Sequence, residues 1–199
     1  MVPSTIRPVT LDELLGIERY EQVRDELRRR TIALKRNRRL AVGDIVTLVF
    51  ENHDTMFFQI QEMLRAERIS DLDAVRHELH VYNALLPQPG QLAATMLIEI
   101  TDQSDVESRL NALIGIDEAV RLEVGSHVVP AEFEPGRSRE DRLSAVQYVR
   151  FSLPAPAREA FRDPAVAAFV VIDHPNYRTR VELAGGIRES LIEDVSEER

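Results

Sequence analysis

The segment Val120-Arg121-Leu122-Glu123-Val124 alternates apolar and charged residues without a break, and Gly125-Ser126 follows it at once. Side chains of a strand point to opposite faces with period two, so this segment predicts a strand with one buried and one wet face. Gly-Ser is a two-residue turn that folds a strand back on its neighbour. The return strand is read through Val129, Ala131 and Phe133, with Glu132 and Glu134 on its opposite face. A hairpin of this kind makes the sheet at least partly antiparallel and excludes an all-helical or purely parallel architecture.

Other strands are expected at Ile45–Phe50, Leu92–Ile100 and Ala145–Leu153. Ala167–Asp173 is almost continuously apolar, as a central strand covered on both faces would be. Between them the apolar period changes to three and four residues, which marks helices. The first is expected from Thr10, where Thr10 and Glu13 have capping-box spacing, through Leu14, Ile17, Val23, Leu27, Thr31 and Leu34. A second is expected from about Thr55 after a cap in Glu51–Asp54, and a third from Ser70 and Asp73. Short helices are expected at Ser104–Ile114 before Gly115 and after Pro154, with a last one after Gly185-Gly186. The fold class is therefore α+β, with a mixed or mostly antiparallel sheet, a long N-terminal helix and several packed helices. One domain over 1–199 is expected: a helical part at 10–86, a strand-rich part at 91–183 and a C-terminal helix at 185–195.

Composition then narrows the function classes. The 199 residues contain no Cys, which removes disulfides, thiolate catalysis and cysteine-ligated metal centres. No apolar run approaches the ~20 residues of a membrane span, and the segment Met1–Pro8 has no hydrophobic core of a secretion signal. A cytoplasmic location without membrane contact is expected. The net charge of -9 conceals one basic run: Arg28, Arg29, Arg30, Lys35, Arg36, Arg38 and Arg39, with no acid among them. An acidic chain with one basic patch is repelled by nucleic acid everywhere else, and no reading motif or interleaved aromatic accompanies the patch. Nucleic-acid binding is therefore a secondary alternative. Pairing of this run with the acidic body or with the final helix (Glu189, Glu193, Asp194) is the expected role.

Three constellations carry candidate chemistry. Glu132 and Glu134, sharing a strand face, and Asp173-His174, at the end of the expected central strand, form a donor set suited to manganese, iron or zinc. Arg137 and Arg139, with Arg142, lie in a Gly-containing loop and offer an anion clamp, as do Arg65 and Arg68 near Gln59 and Glu62 on the second helix. His77 and His80 are three apart, one short of the spacing of a helical zinc motif, and read as solvated. No Gly-rich phosphate loop is present, and nothing in the residues names a cofactor.

Three stretches taken together resemble one bacterial family. They are Glu51-Asn-His-Asp-Thr-Met-Phe-Phe-Gln-Ile-Gln-Glu-Met-Leu-Arg-Ala-Glu-Arg68, then Phe133-Glu-Pro-Gly-Arg-Ser-Arg-Glu-Asp141 through Ser144-Ala-Val-Gln-Tyr148, and Ile172-Asp-His-Pro-Asn-Tyr177. The resemblance is to the uncharacterised family known as domain of unknown function 3501, and it runs from Arg7-Pro8 to the last helix. It implies a redox setting, beside rubrerythrin-like proteins and iron–sulfur or flavin oxidoreductases, and hence a redox protein as partner. One departure is visible: His53 stands where the family pattern implies Arg, which speaks against His53 as a required ligand. The expected function is an accessory or binding protein, possible as a homo-oligomer, in redox metabolism. The alternative is a metal-dependent or anion-binding enzyme built on Glu132, Glu134, Asp173, His174 and the Arg137/Arg139 loop.

Overall fold

A computed structural model of the chain describes residues 5–135, 138–139 and 142–196. In chain order the elements are α1 (Ile17–Lys35), β1 (Arg39–Ala41), β2 (Val46–Phe50), α2 (His53–Ala66), α3 (Leu72–Asn83), β3 (Gln91–Ile98), α4 (Val106–Ala112), β4 (Val120–Val124), β5 (His127–Pro130), β6 (Glu132–Phe133), β7 (Ser138–Arg139), β8 (Arg142–Leu143), β9 (Val146–Ser152), α5 (Ala155–Arg162), β10 (Ala168–His174), β11 (Tyr177–Glu182) and α6 (Gly185–Ser196). Every strand pairing among the described residues is antiparallel. The first sheet has the order β1-β2-β3-β9-β6, the second β11-β10-β4-β5, and β7-β8 is a small ribbon. The α+β class expected from the sequence is what the chain adopts.

The two sheets share a core. Leu48, Phe50, Leu92, Met96, Val149 and Phe151 of the first sheet join Leu122, Val124, Val170 and Ile172 of the second, with Phe161 of α5 and Leu191 of α6. Their spacing of two is the alternation that the sequence displayed. A smaller cluster, built from Met56, Ile60, Leu64, Val75, Leu79 and Tyr82, holds α2 against α3.

Several expectations need correction. The hairpin at 120–130 is present, but the return strand breaks at Ala131: Val129 pairs with Leu122, whereas Glu132 and Phe133 cross to the first sheet and pair with Arg150 and Val149. Period two cannot register such a change of sheet, because the alternation continues through it. The first helix does not start at Thr10. Glu13 does reach back to the Thr10 backbone N–H (2.8 Å), but it closes only a single 3-10 turn, and α1 begins after Gly16. The buried Gln61 of α2 fixes the break by accepting from Leu15 N–H (2.7 Å) and donating to Leu15 C=O (3.2 Å). The cap of α2 is Asn52, whose side chain accepts from Thr55 N–H (3.1 Å), and that of α3 is Asp71. The strand β1 is too short, at three residues, for alternation to show, and it opens on Arg39, the last residue of the basic run.

Part of that run is internal. Arg38 is 1% exposed and ion-paired with the equally buried Asp194 of α6. Its guanidinium also donates to the carbonyls of Phe50 (2.8 Å) and Glu51 (3.1 Å) and to Ser190 Oγ (3.0 Å). Arg39 pairs with Glu99 (2.8 Å) on the surface. No helix among the described residues is long and apolar enough to cross a membrane.

Candidate functional site

A cleft of about 650 Å³ runs between α1 and the start of α2. Leu27, Ala33 and Leu34 of α1 and Phe57 of α2 form its apolar walls. Arg30 and Thr31 enter from α1, and Glu13, His53 and Asp54 complete the lining. The helical spacing of 27, 30, 31 and 34 places these four side chains on one face of α1, which explains how a single helix supplies half of the site.

The polar part of the lining is a connected network. Arg7 holds Glu13 with both terminal nitrogens (2.9 and 2.5 Å), and the Thr10 hydroxyl also donates to Glu13 (2.9 Å). His53, the first residue of α2, places Nε2 3.2 Å from Glu13 Oε1 and Nδ1 3.0 Å from Asp54 Oδ1. Its backbone N–H donates to Thr5 C=O (2.7 Å), and its ring lies nearly parallel to Phe57, 6.5 Å between centroids. The hydrogen bonds from Arg7 hold the Glu13 carboxyl well below the usual carboxylate range, against a smaller opposing effect of burial. Asp54 is lowered too, chiefly by its hydrogen bond to His53. Arg30 differs: among the described residues it has no carboxylate within 4.0 Å. Its one interaction within the lining is a longer-range attraction to Asp54, whose carboxyl it helps to lower.

The residues singled out from the sequence are distributed differently. Glu132 and Glu134 lie exposed at the β6 edge of the first sheet, and Asp173 and His174 lie on β10 of the second. Asp173 is half-exposed and pairs with Arg178 (3.3 Å). His174 is buried, with Nε2 3.0 Å from the Ile114 carbonyl and Nδ1 accepting from Asn176 N–H (3.3 Å), so its two ring nitrogens serve the backbone. Neighbouring positions on a strand point to opposite faces, which already separates Asp173 from His174. Among the described residues no group of three His, Asp or Glu side chains is placed to hold a metal ion. Arg65 pairs with Glu21 of α1 (2.7 Å), and Arg68 is exposed just beyond α2 with left-handed backbone (φ 53°). Arg137 lies outside the described residues, and of Arg139 only the backbone, in β7, is described. Glu62 receives Tyr20 Oη (2.7 Å) and Arg24 (2.7 and 2.8 Å), which ties α1 to α2. His77 and His80 are both exposed on α3.

Sequence reasoning missed the cleft itself. The capping-box spacing marks Glu13 as a cap only, and the family pattern points away from His53. The available signal was modest: His53-Asp54 at a helix start with Phe57 one turn on.

Two antiparallel sheets with a helical N-terminal layer define an α+β protein. The chain belongs to the family described as "Protein of unknown function (DUF3501)", whose model matches residues 8–195. It is also similar to a crystal structure of a novel protein of unknown function from Burkholderia pseudomallei K96243. The two are 31% identical, with a TM-score of 0.89 over 96% of this chain and 100% of that one. No curated protein matches the chain.

Proposed function

We propose that this protein binds an amphipathic organic anion in the α1–α2 cleft and acts as an accessory or binding protein. One observation carries the reading: the cleft has apolar walls and an internally paired polar floor, and Arg30 enters it with no hydrogen bond or close ion pair of its own. A volume of about 650 Å³ is within the range of small-molecule sites, and such sites combine apolar walls with few polar anchors. An apolar body would lie against Leu27, Leu34 and Phe57, and its carboxylate or other anionic head would meet the Arg30 guanidinium. The Glu13–His53–Asp54 network sets the shape of the floor. The family resemblance, which implies Arg at position 53, fits this role, since Arg there would also offer N–H donors to the two carboxylates.

The redox setting rests on the family resemblance. It is tested by co-expression with a rubrerythrin-like protein: a stoichiometric complex on size exclusion supports it, and separate elution counts against it. The cleft is tested by thermal melts with octanoate and, as the oppositely charged control, octylamine. Saturation at about 100 times Kd adds roughly 2.7 kcal/mol of stability, or roughly 5–10 °C for a chain of this size. A saturable rise with octanoate alone is expected; no rise, or an equal rise with octylamine, rejects the reading.

A further inference from the structure

A second cavity, of about 210 Å³, lies between the C-terminal end of α3 and the first sheet. It shares no lining residue with the α1–α2 cleft, so it stands or falls independently of the function proposed above. Leu85, Ala94 and Val149 give it apolar surface, and Glu51, Glu134, Tyr148 and Arg150 give it polar surface.

Glu51 is the unusual member. It follows directly on β2 and is only 3% exposed. Its Oε1 accepts from Thr95 Oγ (2.7 Å), but Oε2 is buried without any hydrogen-bond partner. No basic nitrogen lies within 4.0 Å of it among the described residues. A buried carboxylate left half-satisfied is costly, by several kcal/mol, unless something supplies donors. Arg150 stands on the same cavity with the opposite need. Its guanidinium has five N–H donors, and its hydrogen bond goes to the Ala84 carbonyl. It has no carboxylate partner within 4.0 Å among the described residues.

We infer that this cavity binds a small zwitterion of the α-amino-acid class, its ammonium on Glu51 Oε2 and its carboxylate on Arg150. The ammonium supplies donors to Oε2, and the carboxylate accepts from the guanidinium edge not spent on Ala84. A short aliphatic side chain would rest on Leu85 and Val149. The volume suits this class, since an apolar protein cavity of about 150 Å³ already accommodates benzene. Neither charge alone explains the site: a simple cation would face Arg150, and a simple anion would face Glu51 and Glu134.

The test is calorimetric titration of the full chain with L-alanine and L-valine, and separately with propylamine and propionate. Both amino acids are expected to bind one to one, and each half-ligand at least about tenfold more weakly. Glu51→Gln and Arg150→Gln are each expected to weaken L-alanine at least about tenfold, with partial recovery in Arg150→Lys. Glu51→Gln is also expected to melt no lower than the parent, because it removes a buried charge while keeping the acceptor for Thr95. If that variant fails to fold, the Arg150 pair of variants decides, as Arg150 is only half-buried. Propylamine binding as tightly as L-alanine, or no binding of either amino acid up to about 10 mM, overturns the inference.

Discussion

Removing the Asp194 carboxylate, as in Asp194→Ala, should be among the most damaging single changes available to this protein. Arg38 and Asp194 are each 1% exposed, so neither charge has water as an alternative partner. Arg38 closes the junction of two elements: through Phe50 and Glu51 it holds the exit of β2, and through Ser190 and Asp194 it holds α6. Asp194 in turn accepts from Thr5 Oγ (2.9 Å), which ties the N-terminal segment to the same point. Deleting one partner of a buried pair leaves an uncompensated charge and costs about 3–5 kcal/mol. Domains are stable by about 5–15 kcal/mol in total, so the loss is a third or more of a typical value. The assay is equilibrium urea unfolding at neutral pH, where the loss appears as a lower midpoint with an unchanged slope. The double variant Arg38→Met/Asp194→Leu should recover most of it, because no orphan charge then remains. A loss below about 1 kcal/mol for Asp194→Ala, or a double variant as unstable as the single one, would refute the reasoning.

Three further outcomes follow from the same geometry. Glu13 and Asp54 are lowered in the folded state, so the unfolded chain binds more protons below the ordinary carboxylate range; their contribution is complete above about pH 5 and is lost as pH falls through the lowered values. Glu13→Gln should therefore flatten the acid side of a stability–pH curve, and an unchanged slope would contradict this. Ile172→Ala, in the core shared by both sheets, should cost about 2–5 kcal/mol in urea unfolding, and a loss under about 1 kcal/mol would contradict its burial. Gly43 has φ of 88°, and a Cβ there would overlap the hydroxyl of Tyr177, which donates to Val42 C=O (2.7 Å). Gly43→Ala should cost at least about 2 kcal/mol, partly relieved by Tyr177→Phe; a neutral substitution would contradict the close approach.

What was legible in the sequence was periodic. Hydrophobic alternation located β2, β3, β4, β9 and β10, and the three-to-four spacing located α1, α2 and α3, because both are local consequences of backbone geometry. What was illegible depended on contacts across the chain. The break before α1 exists because Gln61, forty-six positions away, takes both polar groups of Leu15. The change of sheet at Ala131 leaves the alternation of Val129, Ala131 and Phe133 intact, so Glu132 was assigned to the wrong sheet. The candidate site followed the same rule. Asp173 and His174 drew notice as ligand types side by side, yet one pairs with Arg178 and the other with backbone groups. The cleft arises from three segments, bearing Glu13, Arg30 and His53, whose meeting no spacing announces. The pairing of the basic run with the final helix was expected, and Arg38 with Asp194 realises it.

The central claim, a cleft that takes an amphipathic anion through Arg30, is tested most directly by calorimetric titration of octanoate into the parent chain, Arg30→Gln and Phe57→Ala. Arg30 is exposed and Phe57 half-buried on the cleft wall, so both variants should retain the fold. Loss of a charge-assisted bond to a carboxylate is worth about 1.5–3 kcal/mol, so Arg30→Gln should raise Kd by roughly 10- to 150-fold. Phe57→Ala should also weaken binding by removing apolar wall, while leaving the preference for octanoate over octylamine intact. Octanoate binding of equal strength in the parent and in Arg30→Gln would contradict the account.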